Sequence, residues 1–335
     1  MTLQTENSFL HEIEQKTLQD PSNAEVINAT AFELQDQGFL AILSRLAVRL
    51  CKRNINLIKG RVFVQTNPSA AYSYQETLDH ARLYASEFEK AGIPKTRYCI
   101  KIMATGPGLK AAKILQDEGI STLGTGVFSV VQAVAFSQAG CLYISPYYNE
   151  IQTHMDPSLW PDVQDPALEH PFSHRIAQMV QTYKTLFAAT GKEQPLIKNA
   201  GFRSYKEVLA SAELGCHSAT ISQDLLGELK ALAPGEIPLP VTPRVAAMKS
   251  PYSDDVTISS PRLSELLTRD LHEEKECSMK GLTLDLLADG GKELEQALVK
   301  DSEAARMVKE ALEMFIYCEE ETKKLIKGTA VVASL

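Results

Sequence analysis

The stretch Arg97-Tyr-Cys-Ile-Lys-Ile-Met-Ala-Thr-Gly-Pro-Gly108 has a lysine at the centre of an otherwise apolar run. Residues 98–103 read as a buried strand, whose two-residue period sends Ile100 and Ile102 to one face and Cys99, Lys101 and Met103 to the other. Burial lowers the pKa of a lysine, so part of it is a neutral amine near pH 7 that can attack a carbonyl carbon and form a Schiff base. The alternative is that Lys101 pairs with a carboxylate or reaches solvent at the strand end, as most lysines do.

This stretch belongs to a regular alternation of short β-rich runs and helical segments that end in glycine, which is typical of βα units around a parallel sheet. Two further strands could come from the N-terminal region, one of them at Leu18 to Ser22, and eight strands would close a (β/α)8 TIM barrel. We favour this α/β barrel over a doubly wound open sheet, because no Gly-rich turn follows the first strand. The six clearer strands are predicted at residues 60–65, 98–103, 121–125, 141–145, 195–200 and 218–222.

The chain is expected to divide into three parts. Residues 1–233 form the barrel, residues 234–300 form a Pro-rich connection with a variable insertion, and residues 301–335 form a C-terminal helical extension. We expect this extension to pack on the barrel or on a partner subunit.

The extension is predicted as an amphipathic helix from Ser302 to Lys327, capped by Asp301 or Ser302 and ended by Gly328. The run from Glu319 to Glu321 is interpreted as a solvated face. Its apolar face is predicted to contain Val308, Leu312, Phe315 and Ile316.

Composition excludes several classes of function. A net charge of -8 and a pI near 5.5 give no electrostatic footprint for nucleic acid or an anionic membrane. No apolar run is long enough to span a bilayer and the start is polar, so we expect a cytoplasmic protein. Six scattered cysteines and seven histidines show no metal-ligand spacing, so neither a metal nor another cofactor is expected.

Several motifs occur in the same strand-by-strand order as in one family. Residues 97–150 contain Ile-Lys-Ile-Met-Ala-Thr, Glu-Gly-Ile-Ser-Thr-Leu-Gly-Thr and Ile-Ser-Pro-Tyr, and Ala200-Gly-Phe-Arg203 and Thr220-Ile-Ser222 follow. Over about residues 10–230 the chain resembles the transaldolase family of class I aldolases. The resemblance implies a barrel enzyme, expected to be a homo-oligomer, that makes or breaks a carbon–carbon bond next to a dihydroxyacetone-type carbonyl. Its substrate would be a sugar or a sugar phosphate.

The resemblance also implies roles for individual residues. Lys101 takes the place of the Schiff-base nucleophile, and Thr125 matches the threonine that holds the catalytic water. Ser145 matches a substrate-binding serine, and Asn23 matches an asparagine at a strand end. Lys198, also on a predicted strand, is the reserve nucleophile.

Two departures concern acid–base chemistry. Typical transaldolases have a glutamate where this chain has Gln65, and a phenylalanine where it has Tyr147. Glutamine cannot take a proton, whereas a tyrosine hydroxyl beside a cationic iminium can act as an acid or base. Both residues resemble the fructose-6-phosphate aldolase subgroup, which releases a free ketone and uses the tyrosine for proton transfer. The pair therefore favours direct aldol or retro-aldol chemistry.

Other departures concern charge. The family's phosphate-binding arginine after the sixth barrel strand is Glu150 here, and an anion would repel a phosphate, while Arg203 could keep one phosphate contact. The carboxylate of the family's first strand falls near Thr5 to Asn7 and is missing.

Three other functions stay open. The chain could be a true transaldolase of the pentose phosphate pathway, acting on sedoheptulose 7-phosphate and glyceraldehyde 3-phosphate. It could be a catalytically degenerate barrel that acts as a binding or interaction protein. Thr105-Gly-Pro-Gly108, which opens a helix, could instead bind phosphate or a nucleotide.

Overall fold

Six parallel strands form a single curled sheet in sequence order, β1 to β6, as expected of the TIM-barrel class. The computed structural model describes residues 20–233, 250–253, 262–263, 266 and 284–333. Each of the six predicted strands overlaps an observed one. The strands are β1 Val62–Gln65, β2 Tyr98–Met103, β3 Thr122–Val127, β4 Tyr143–Pro146, β5 Leu196–Asn199 and β6 Ser218–Ala219.

Helices connect the strands and cover the outside of the sheet. Ser129 begins one of them, Val130–Gln138, with a capping box. The helices are α1 Ala24–Glu33, α2 Phe39–Asn54, α3 Tyr74–Lys90, α4 Gly106–Asp117, α5 Val130–Gln138, α6 Pro166–Glu169, α7 Ser173–Thr190, α8 Tyr205–Glu213, α9 Gln223–Ala231, α10 Ala288–Lys300 and α11 Ser302–Ala333.

The predicted division of β2 into two faces is confirmed at Cys99, Ile100 and Ile102, whereas Met103 belongs to the large core. Ile100 and Ile102 belong to the large core between sheet and helices. Cys99 belongs to a separate small cluster with Leu123 and Tyr143, which are the residues of the next two strands in register with Lys101. This second cluster lies on the face of the sheet that carries Lys101.

The strand predicted at Leu18 to Ser22 is wrong in the part that the structure describes. Pro21–Asn23 is a turn of 3-10 helix, and the Asp20 side chain accepts a hydrogen bond from the Ser22 amide at 2.8 Å. A proline followed by a local Asx hydrogen bond favours a helix start over a strand. Leu18, Gln19 and residues 5–7 lie outside the described residues.

The C-terminal helix α11 packs against its own chain. Ala304 donates its amide to Asp301 Oδ1 at 2.9 Å, so the predicted cap at Asp301 is confirmed. The predicted end at Gly328 is wrong, because the helix continues to Ala333. The predicted apolar face is confirmed: Val308, Leu312 and Phe315 are buried and Ile316 is half-buried.

The helix before it, α10, packs on α4 and α5 and so occupies the end of the predicted connection. Gly291 and Gly106 allow this contact, since a Cβ added at Gly106 would lie 2.3 Å from the Gly291 carbonyl oxygen. Gly291 also has a φ of +93°, which other residues rarely adopt. Within the described residues no helix is both long and apolar enough to cross a membrane.

Candidate active site

Lys101 lies in the middle of β2, with its side chain half-buried on the inner face of the sheet. Burial lowers the pKa of its ammonium group to about 8, the neighbouring Cys99 thiol opposes this shift, and the charge of Lys198 adds to it. The apolar strand therefore raises the share of neutral amine near pH 7, as the sequence predicted, while most of the lysine still carries its proton there.

Thr125, on β3, and Tyr147, directly after β4, form a hydrogen-bonded pair. Thr125 Oγ1 and Tyr147 Oη are 3.1 Å apart and both residues are buried. Burial raises the pKa of Tyr147 to about 12, although the bond to Thr125 opposes this shift. Tyr147 is therefore a protonated hydroxyl at neutral pH in the free protein.

Ser145 and Gln65 complete the group on the inner face. Ser145 is paired with Thr125 in the β3–β4 register and is buried, and its Oγ has no hydrogen-bond partner among the described residues. Gln65 is paired with Lys101 in the β1–β2 register. The structure thus brings together five of the eight predicted site residues.

Two cavities meet at this group. The β6-side cavity, of about 190 Å³, extends from Lys101 and Tyr147 to Thr220 and Ser222. The β1-side cavity, of about 510 Å³, extends from the same two residues to Gln65, Asn67 and Phe39. Lys101 can therefore be reached from two sides.

Asn23, Glu150 and Arg203 lie outside the lining of both cavities, as do the buried Thr125 and Ser145. Asn23 accepts a hydrogen bond from the Arg53 guanidinium at 2.7 Å. Glu150 accepts two bonds from Arg306 of α11, each 2.9 Å long. The Arg203 guanidinium stacks 5.6 Å from the Trp160 ring, next to the cavity-lining Gly201 and Phe202.

The expected repulsion of a phosphate by Glu150 is only partly offset, because Arg306 pairs with this carboxylate but also with Glu310 at 2.8 Å. The partner of Glu150 is separated from it by 156 residues in sequence. Its pairing could not be read from the loop alone.

Sequence reasoning missed part of the site on α11. Phe315 lines both cavities, and Glu319 lines the β1-side cavity. The expected solvated face is wrong at Glu319, which is 6% exposed and accepts hydrogen bonds from the amide and hydroxyl of Ser69 at 3.0 and 2.8 Å. Its spacing from Phe315, one helical turn, is the signal that could have placed it on the buried face.

Side chains of the protein itself bind the free amides at the glycine-rich start of α4. Gly106 donates its amide to Glu295 Oε1 at 2.5 Å, and Gly108 donates to Thr105 Oγ1 at 3.1 Å. A carboxylate already occupies the place where a phosphate would bind. The hypothesis of a phosphate- or nucleotide-binding module on this loop is therefore wrong.

Comparison with known proteins identifies the family. The family described as Transaldolase/Fructose-6-phosphate aldolase matches residues 9–325. The chain belongs to this family. A transaldolase from Methylibium petroleiphilum is 29% identical over 219 residues, which cover 64% of this chain and 67% of the relative. Membership places the chain among aldolase-type enzymes and agrees with the resemblance seen in the sequence. Among the described residues, no group of three or more histidines, cysteines or acidic residues could hold a metal ion.

Proposed function

We propose that this member of the transaldolase/fructose-6-phosphate aldolase family is a Schiff-base aldolase with Lys101 as its nucleophile. The observation that supports this most is the meeting of both cavities at Lys101 beside the Thr125–Tyr147 pair. The substrate would be a sugar or sugar phosphate with a dihydroxyacetone-type carbonyl.

In the proposed cleavage direction, the Lys101 amine adds to the ketone carbon and water leaves, which gives an iminium. The water leaves with the proton of the Tyr147 hydroxyl, and the resulting phenolate takes the proton of the substrate hydroxyl on the next carbon but one, which breaks the carbon–carbon bond. The bond electrons enter the iminium, giving an enamine, and an aldehyde is released. Protonation of the enamine carbon and hydrolysis return the amine and a free ketone.

Tyr147 suits the protonation step. Its pKa of about 12 keeps the hydroxyl protonated, and Thr125 holds that oxygen at 3.1 Å. When Tyr147 donates its proton, a nearby iminium stabilises the resulting phenolate. Gln65 can only orient groups by hydrogen bonding. In the proposal, Ser145 Oγ binds the substrate.

Borohydride trapping tests the nucleophile. The protein is incubated with dihydroxyacetone or fructose 6-phosphate and reduced, and the modified peptide is found by mass spectrometry. We expect an adduct on Lys101 that is absent from Lys101→Ala. The matched control is Lys198→Met, which removes the reserve nucleophile on β5 and should leave the adduct in place. An adduct on Lys198 would move the reaction to the other lysine, and no adduct with any small ketone would favour the degenerate barrel.

A true transaldolase is the second candidate, because the relative from Methylibium petroleiphilum has that name. The two reactions differ in the fate of the ketone fragment. With fructose 6-phosphate alone, an aldolase releases free dihydroxyacetone, whereas a transaldolase retains the fragment until an acceptor aldehyde arrives. Gln65 and Tyr147 favour release.

The remaining expectations belong to the same proposal. They are closure of the sheet into an eight-stranded barrel, the division into three parts, assembly as a homo-oligomer and a cytoplasmic location. Asn23 and Arg203 would bind substrate only if a bound ligand drew them into the site.

A further inference from the structure

We infer that Phe315 is a specificity-determining residue that separates the barrel mouth into two compartments, one for the ketone and one for the aldehyde. This inference rests on the proposed aldolase function. It starts from the lining of the two cavities: the β6-side and β1-side cavities share only Lys101, Tyr147 and Phe315 among the described residues. Lys101 and Tyr147 are the proposed reacting groups, and Phe315 is the partition between the two cavities.

Phe315 is held firmly in this position. Its ring is 7% exposed and lies 6.5 Å from the Tyr147 ring in an edge-to-face arrangement at 67°. Such a pair is a favoured aromatic geometry. The proposed acid–base residue and the partition are therefore packed together.

Two polar contacts fix α11 on either side of the ring. Arg306, nine residues earlier, pairs with Glu150 in the loop after β4. Glu319, four residues later, binds Ser69 in the loop after β1. The helix thus spans the ends of strands on both sides of Lys101 and carries Phe315 across the gap.

Both compartments are lined mainly by apolar side chains, and they differ in the polar groups that they add. The β6-side cavity adds the hydroxyls of Thr220 and Ser222. The β1-side cavity adds the amide of Gln65, which is paired with Lys101 in the sheet and can both donate to and accept from the hydroxyl groups of a dihydroxyacetone-type ketone. We assign the ketone to the β1-side compartment and the aldehyde to the smaller β6-side compartment.

With this assignment, Phe315 should limit the size of the aldehyde that can react. An aldol reaction needs both reactants at one carbon, and a rigid wall beside the imine limits how large the aldehyde can be. Discrimination by an apolar pocket is of the order of 10- to 200-fold per group that does or does not fit. Removing the ring should merge the compartments and relax the limit.

The experiment compares Phe315→Ala and Phe315→Trp with the unaltered protein. The ketone is dihydroxyacetone, and the aldehydes are glyceraldehyde and the bulkier 3-phenylpropanal. For Phe315→Ala we expect the ratio of kcat/KM for the bulky over the short aldehyde to rise roughly tenfold or more. For Phe315→Trp the same ratio should fall. Trapping of dihydroxyacetone on Lys101 should change less than about threefold in both.

The control is Leu312→Ala, which removes a buried side chain from the same helix face but not from either cavity lining. It should lower thermal stability and leave the aldehyde ratio unchanged. An unchanged ratio in both Phe315 variants, or an equal change in Leu312→Ala, would overturn the partition. Should Phe315→Ala fail to fold, Phe315→Leu and Phe315→Trp give the same comparison. Failure of the proposed function would be separate, since the unaltered protein would then form no adduct on Lys101.

Discussion

At the scale of single residues, Lys101 combines reactivity with a cost in stability. An ammonium group on an apolar strand is less well solvated in the folded protein than in the unfolded chain, which lowers its pKa from 10.5 to about 8. The same loss of solvation makes the amine nucleophilic near neutral pH and weakens the fold while the amine is charged.

The substitution Lys101→Met should therefore abolish trapping and stabilise the protein, by about 0.5–2 kcal/mol. Below pH 8 the folded lysine carries its proton and the full cost is present. Between pH 8 and 10.5 the folded state is neutral while the unfolded state is still charged, so the stability of the unaltered protein rises with pH. Denaturant unfolding at several pH values checks this. The excess free energy of unfolding of Lys101→Met over the unaltered protein should shrink above pH 8. A constant excess would contradict the explanation by charge burial.

Tyr147→Phe keeps the ring against Phe315 but removes the hydroxyl that Thr125 holds. Imine formation on Lys101 should remain measurable, because the nucleophile is unchanged. Exchange of the ketone α-protons with deuterium should fall by roughly 10²–10⁴-fold, the usual contribution of general acid–base catalysis. Equal rates of exchange in the variant and the unaltered protein would remove Tyr147 from the proposed mechanism. Tyr148→Phe is the matched control, since its hydroxyl binds Pro166 and Ser173 instead.

The inner-face residues could be predicted because strands fix the direction of a side chain by position alone. Gln65 is paired with Lys101, Thr125 is paired with Ser145, and Thr125 lies two residues after the partner of Lys101, so a period of two places these four on one face. Tyr147 directly follows β4 and contacts Thr125. Asn23 and Glu150 lie outside strands and take their positions from Arg53 and Arg306, which are distant in sequence. No local rule supplies such partners.

At the scale of secondary structure elements, α11 acts as the wall of the site. Its apolar period predicted a buried face, but not that the face includes a carboxylate. Glu319 is buried because Ser69 supplies two donors and Lys323 lies 2.8 Å from its Oε1. A buried carboxylate with these partners is stable. From composition alone, the run Glu319-Glu-Glu321 is predicted to be exposed to solvent.

Glu319→Ala should destabilise the protein by about 1–3 kcal/mol, because the Ser69 donors lose their acceptor. Hydrogen exchange should speed up at the Ser69 and Ala70 amides, while the amides of α4 stay protected. Glu320→Ala is the matched control, since Glu320 is exposed and its main partner is Lys323. Similar exchange at Ser69 in the two variants would mean that this contact does not hold the loop.

At the scale of the whole molecule, buried imidazoles couple the fold to pH. Burial lowers the pKa of His80, His154 and His170 to about 4, and Glu319 partly opposes the shift at His80. His80 lies between α2 and α3, and His154 and His170 lie in the region after β4. Because these places are separate, the effects of the three pKa shifts on stability add. His80 is held by Ser44 at 3.2 Å and by Asn67 at 2.9 Å.

The fold should therefore lose stability as the pH falls from about 6.5 to 4. Above pH 6.5 these histidines are neutral in both states, and between pH 6.5 and 4 the unfolded chain binds protons that the folded protein does not. Each group contributes a slope of up to about 1.4 kcal/mol per pH unit. Urea unfolding should show that His80→Gln is less stable than the unaltered protein at pH 7, because two hydrogen bonds are lost. That difference should shrink steadily towards pH 4. Ser44→Ala is the control, because it removes one of these hydrogen bonds but keeps the buried imidazole, and its difference from the unaltered protein should change less with pH. If His80→Gln runs parallel to the unaltered protein, burial of His80 does not cause the acid sensitivity.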